Sequence, residues 1–180
     1  MNNRAFIKLP FLLTALLLTR PTHAQQMTNG TLEQRIARME DRMAIKHVVD
    51  VFSNLADVKQ IDKQVLLFTD DAVVTSYAAG TLVSELKGRA QLLATFSGFL
   101  AGFDVVYHQN GQQTIDELTD STAKATSYCH VILVGMQDGK RMKTTMHTIY
   151  SDQFVKRDGV WLIAKRRSDF VWREVVEVGE

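Results

Sequence analysis

The sequence is short of most of the features that announce a function. It holds a single cysteine, Cys129, so no disulfide can form within one chain and burial alone must hold the fold together. It lacks a surplus of either charge: 21 Lys and Arg against 20 Asp and Glu give a formal net charge of +1. A nucleic-acid-binding surface shows as a clear basic excess, and none is present. Long one-sign runs and low-complexity tracts are missing as well, which excludes a solvated interaction tail. There is no phosphate-cradling glycine loop, no serine nucleophile elbow and no cysteine-rich metal spacing. Beyond residue 24 no stretch is apolar enough to span a bilayer, which takes about 20 residues.

What is there reads as a globular chain. Hydrophobic residues make up 46% and charged residues 23% of 180, the balance of a packed domain, and the length suits one domain. Residues 1–24 carry Arg4 and Lys8, an apolar run from Leu9 to Leu18, and then Thr22-His23-Ala24. That is the layout of a cleaved secretory signal, and the run is too short for an anchor. The expectation is a signal peptide over 1–24, a short leader over 25–30 and one domain over 31–176. The mature protein is then periplasmic or extracellular and no longer bound to a membrane.

Thr31-Leu32-Glu33-Gln34 is a capping-box pattern that starts a helix. Leu32, Ile36, Met39, Met43, Val48, Phe52 and Leu55 follow at helical spacing to about Ala56, predicting one apolar stripe. A shorter helix is predicted over Asp62–Phe68, strands over Ala72–Tyr77 and Leu82–Leu86, and a helix over Gly88–Leu100. Four long β-branched and aromatic runs come next: Val105–Leu118, Ala123–Gln137, Met142–Lys156 and Val160–Arg173. Thr119-Asp120-Ser121, Asp138-Gly139 and Asp158-Gly159 separate them, which predicts an antiparallel meander. Helices first and a meander second point to an α+β fold, the sheet curling around the helices.

Few residues are placed for chemistry. Asp57 follows Leu55-Ala56 at the helix end, where a carboxylate is a solvated or capping group unless a partner is brought to it. His108 lies in Val105-Val106-Tyr107-His108-Gln109-Asn110, as either a half-buried packing residue or a proton acceptor whose tautomer Asp57 fixes. His130 and His147 sit on other strands without the short spacing of metal ligands. His47 reads as solvent-facing on the first helix. Tyr77, Tyr128 and Tyr150 are hydroxyl donors or core packing. Trp161 reads as core, and Trp172 as a cover for a pocket mouth or a contact between subunits. Cys129 reads as an inert packed thiol. Lys165-Arg166-Arg167 alternates across a strand and reads as a solvated edge.

The stretch from Asp41-Arg42-Met43-Ala44-Ile45 through Leu55-Ala56-Asp57 to Leu67-Phe68-Thr69-Asp70-Asp71-Ala72-Val73-Val74 resembles the opening of SnoaL-like domains of the nuclear transport factor 2-like superfamily. Tyr150-Ser151-Asp152-Gln153-Phe154-Val155-Lys156-Arg157-Asp158-Gly159-Val160-Trp161 with Ala164-Lys165-Arg166 resembles that family's last hairpin. The resemblance covers Leu32 to Trp172. It implies a cone-shaped α+β barrel, with the N-terminal helices in the concave face of a mostly antiparallel sheet, dimeric through the outer sheet face. Some relatives, scytalone dehydratase and hexachlorocyclohexane dehydrochlorinase among them, are lyases that pair an aspartate at the end of the first helix with a histidine on the first long strand. Asp57 and His108 match those positions, and Tyr77 and His130 are similar to further pocket residues of the dehydratase. Ala56 stands where the dehydratase has tyrosine and Phe52 where the dehydrochlorinase has lysine, so neither substrate is carried over. The resemblance thus implies a cofactor-free lyase or isomerase for a small, fairly apolar molecule, with Asp57 and His108 catalytic and Tyr77 and His130 binding substrate; Tyr128, as a phenolic donor on β-branched strand sequence, is the further substrate-binding candidate. The alternative is a non-catalytic ligand-binding or dimerisation module, since the superfamily holds many such members.

Overall fold

The computed structural model describes residues 30–179; the expected signal peptide and nearly all of the leader lie outside the described residues. The chain divides into two units after Ile36. In the first, the capping box forms as read. Thr31 N–H donates to Gln34 Oε1 at 3.1 Å and Gln34 N–H to Thr31 Oγ1 at 3.3 Å, satisfying two amides a helix start leaves unbonded.

The helix begun there, α1, runs Leu32–Asp57. Its apolar residues do not form the single stripe that the spacing suggested. Leu32, Ile36, Met39 and Met43 are exposed, while Ile45, Val48, Val49, Phe52 and Ala56 are buried. Met43 and Phe52 are nine residues apart, about two and a half turns, and so point to opposite sides. The buried set is a face of its own, and Asp57 stands one residue past its end.

A one-turn helix, α2 (Ile61–Gln64), and a 3-10 turn over Val65–Leu67 follow, where the sequence suggested one helix to Phe68. The buried Gln64 donates from Nε2 to the Phe52 carbonyl at 2.8 Å, tying this turn to α1. Strand β1 (Phe68–Ala78) starts earlier than expected; it pairs with β2 (Thr81–Lys87), and α3 (Gly88–Ala101) comes next. Then come β3 (Val105–Leu118), β4 (Thr122–Gln137), β5 (Lys140–Arg157) and β6 (Val160–Glu177). The strand order is β2-β1-β6-β5-β4-β3, with β1 and β6 parallel and the other pairs antiparallel. This is the expected α+β arrangement, helices on one face of a curved sheet. The sheet stays open, with β2 and β3 as its edges.

Three hairpins turn on residues with both central φ values positive: Ala79-Gly80, Asp138-Gly139 and Asp158-Gly159, the twist that two-residue hairpins favour. Gly135 on β4 is required by close approach, since a Cβ there would lie 2.4 Å from the Gly102 carbonyl oxygen.

One irregularity decides what faces inward. On β6, Ile163 pairs with Phe154 of β5 and Lys165 with Gln153, leaving Ala164 unopposed. On the other side, Ile163 pairs with Phe68 and Lys165 with Val73 of β1. Such a bulge shifts the alternation by one residue. Trp161 and Ile163 are buried before it, Arg166 and Ser168 after it.

Candidate active site

The helix-covered face of the sheet holds Asp57 and His108. On β3 the alternation buries Val106 and turns His108 and Asn110 the same way, toward α1. His108 Nδ1 lies 2.7 Å from Asp57 Oδ1, and the His108 backbone N–H donates to Asp57 Oδ2 at 3.2 Å. The carboxylate thus grips one residue twice. The side chains are 9% and 21% exposed, so the pair is screened from bulk water without being sealed. Among the described residues no group bonds Nε2.

Burial pulls the His108 pKa below its ordinary 6.5; the hydrogen bond and charge of Asp57 oppose that, and the Arg166 charge reinforces it. At neutral pH the imidazole is therefore uncharged. With Asp57 accepting from Nδ1–H, the free lone pair sits on Nε2.

Two turns of α1 add to the site. Ser53 Oγ donates to Asn110 Oδ1 at 3.0 Å, and Asn110 Nδ2 donates to the Val49 carbonyl at 3.3 Å and Asp50 Oδ1 at 3.1 Å. Lys46 is ion-paired to Asp50 one turn away.

Sequence reasoning missed Arg166, read as part of a solvated edge. It is buried, forms two hydrogen bonds with Asp152 (Nε to Oδ1 2.8 Å, Nη2 to Oδ2 2.7 Å), and sits in the corner between the Phe52 and Tyr150 rings, each 4.3 Å from its guanidinium carbon and set edge to face with the other. Burial works against the charge, but Asp152 outweighs it and holds the Arg166 pKa above its ordinary value. Nη1 is buried without a partner. Phe68 and Phe96 join Phe52 in an edge-on aromatic cluster. Cys129 lies buried in the same interior, where desolvation pushes its thiol up to about 11, the inert state expected. Tyr150 is likewise buried and its phenol is held far above its ordinary pKa, desolvation being the main cause.

The remaining sequence candidates stand on the other face. Tyr77 pairs with Asp169 and its ring lies under Arg167, at 3.9 Å; the pair next to it, Ser76 with the buried Ser168, faces inward. His130 pairs with Gln109 and His147, and Tyr128 is exposed. Each is one residue out of phase with the buried set, which includes Ser127, Cys129 and Val131. His130, His147 and Trp172 stack at 4.9 and 5.1 Å along a depression of about 580 Å³ that Tyr128 also lines. The structure therefore brings Asp57 and His108 together and separates Tyr77, Tyr128 and His130 from them by the thickness of the sheet. Among the described residues no three His, Cys, Asp or Glu side chains converge as a ligand set, and no helix is long and apolar enough to cross a membrane.

A neutral imidazole, oriented by a carboxylate and set in an aromatic interior with a buried guanidinium, can take a proton from carbon and stabilise nearby negative charge. Solved structures share the fold. A candidate scytalone dehydratase from Novosphingobium aromaticivorans is 22% identical with a TM-score of 0.67, over 79% of this chain and 92% of that one. A type 2 hexachlorocyclohexane dehydrochlorinase is 14% identical with a TM-score of 0.66, over 80% and 93%. A protein from Kribbella flavida reaches 0.68 at 13% identity, over 76% and 95%. No curated protein matches the chain. The family model of the SnoaL-like domain matches residues 37–167, most of the chain and a span that includes Asp57, His108 and Arg166, and the protein belongs to that family.

Proposed function

We propose that the protein is a cofactor-free lyase or isomerase acting on a small, largely apolar molecule. The observation that carries this reading is the 2.7 Å contact between Asp57 and His108, with Nε2 left unbonded. In an elimination, His108 Nε2 takes a proton from a carbon of the substrate. The C–H electron pair becomes the new double bond, and the leaving group departs from the adjacent carbon with its bonding pair. Asp57 stabilises the imidazolium that forms, and Arg166 Nη1 is the donor nearest in kind to what a departing anion or developing oxyanion requires. In an isomerisation the same imidazolium returns its proton to a different carbon. Phe52, Phe68, Phe96 and Tyr150 favour an apolar or aromatic substrate body. The fold shared with a dehydratase-type protein and a dehydrochlorinase supports this class of reaction.

The competing reading, a ligand-binding module without turnover, draws on the Arg166–Asp152 pair, which also serves as core structure. Incubating the protein with panels of β-hydroxycarbonyl and chlorinated cyclic compounds, followed by mass spectrometry, separates the two. Loss of water or HCl that disappears in His108→Ala supports the enzyme. Compounds that bind but return unchanged in wild type sink it.

A further inference from the structure

We propose that Asn110 is a positioning residue that holds His108 against Asp57 before any substrate arrives. The inference rests on the dyad reading above and extends it to groups that touch no substrate. β3 is an edge strand, hydrogen-bonded on one side only, to β4. Pairing with β4 sets its place in the sheet, and on the helix side two side-chain bridges tie it to α1. His108 meets Asp57, and Asn110 meets Ser53, Val49 and Asp50. The spacing of the bridges matches. Two residues of strand advance about 6.8 Å and four residues of helix about 6 Å, so 108-to-110 and 57-to-53 are rungs of the same ladder.

The second rung sits where the strand needs it. The β3–β4 pairing is regular from Val105 to Asn110 and then shifts before it resumes at Gln113, so Asn110 is the last residue before the irregularity. The amide is the fitting group, because one end accepts from Ser53 while the other donates to a carbonyl and a carboxylate. An aspartate could not donate, and would set a second carboxylate against Asp50. With Asn110 lost, His108 and Asp57 must hold the edge strand as well as each other, and a drift of about 1 Å at a catalytic group costs about a hundredfold in rate.

The test reads the dyad directly, without substrate. In protein labelled with ¹⁵N-histidine, the His108 Nδ1–H resonance and its exchange with water are followed in wild type, Asn110→Ala, Asn110→Asp and Ser53→Ala, with circular dichroism as the check on folding. The expected result is exchange faster by at least about tenfold in both Asn110 variants, intermediate in Ser53→Ala, with the spectrum of a folded protein retained. Gly80→Val, strained by its positive φ at the β1–β2 turn on the opposite edge of the sheet, is the control and should leave the resonance protected. Unchanged protection in folded Asn110→Ala, or equal loss in the Gly80 control, overturns the proposal. If Asn110→Ala does not fold, Ser53→Ala decides alone. A failed turnover assay on wild type would refute the enzyme reading and leave this result standing, so the two failures are distinguishable.

Discussion

Asp57 holds His108 at both ends of the residue, its Oδ1 against the ring and its Oδ2 accepting from the backbone amide. A carboxylate bonded to both the ring and the backbone of its partner is held in one orientation. Replacing it with asparagine keeps the shape but puts an NH₂ where one acceptor was. Asp57→Asn should therefore leave the circular dichroism spectrum intact and lower kcat/KM by about 10²–10⁴, with His108→Ala at least as low. Unfolding of both variants would mean that the pair is structural.

The pH dependence follows from the lowered pKa of His108. The base is active when neutral, so activity should fall on the acid side of a midpoint below 6.5 and stay flat from there through neutrality. Stability moves the same way. The unfolded state takes up a proton at a higher pH than the folded state, so the contribution of neutral His108 is whole above the unfolded pKa and is lost as pH drops through the folded one. A pH-rate profile with its acid midpoint above 6.5 would mean that the charge of Asp57 outweighs the burial of the ring.

Arg166 and Asp152 are both fully buried, so removing either one strands a charge. Asp152→Ala or Arg166→Met alone should cost about 3–5 kcal/mol, read by urea denaturation. Replacing both with apolar residues of similar volume should recover most of that, because the double variant leaves no orphan. If Arg166 also serves the reaction, the recovered protein stays inactive, and a double variant with full turnover assigns the guanidinium to structure alone.

Ala79 occupies a left-handed position, φ 49°, at the β1–β2 turn, where asparagine or glycine is at ease. Ala79→Asn should raise stability by about 0.5–1 kcal/mol, seen as a rise of a few degrees in Tm. In the opposite direction, Gly135→Ala should lose about 1–3 kcal/mol, since its new methyl meets backbone rather than a side chain that can move aside.

How far the sequence spoke depended on what carried each signal. The hairpins were legible because Asp138-Gly139 and Asp158-Gly159 encode their turn in local dihedral preference. Asp57 and His108 were reached through their places at the end of one element and within another, and the fold brings such places together. Face was a different matter. Along β4 the outward set holds the aromatic Tyr128 and the apolar Ile132 beside His130, and the inward set holds Ser127 beside Cys129, Val131 and Leu133, so the alternation is blurred. The α1 stripe failed for a related reason, two apolar faces on one helix reading as one. Arg166 was hidden by the bulge at Ala164: counting by twos from Trp161 and Ile163 leads to Lys165, and pairing with the neighbouring strands, which local sequence does not record, moves the inward position to Arg166.

That bulge gives β6 a division of labour. Ahead of Ala164 the strand contributes Trp161 and Ile163 to an oily interior; behind it the strand contributes a cation and Ser168. A single unopposed residue thus acts as a punctuation mark between two reading frames of one strand. Shortening β6 by Ala164 would keep Arg166 facing in while erasing the local bend, whereas adding one residue between Ala164 and Lys165 would put Lys165 in the inward place and turn Arg166 away from Asp152. Which cation meets the buried carboxylate is therefore set by how many residues separate Ile163 from it, so a change in length can break the pair without changing either of its members.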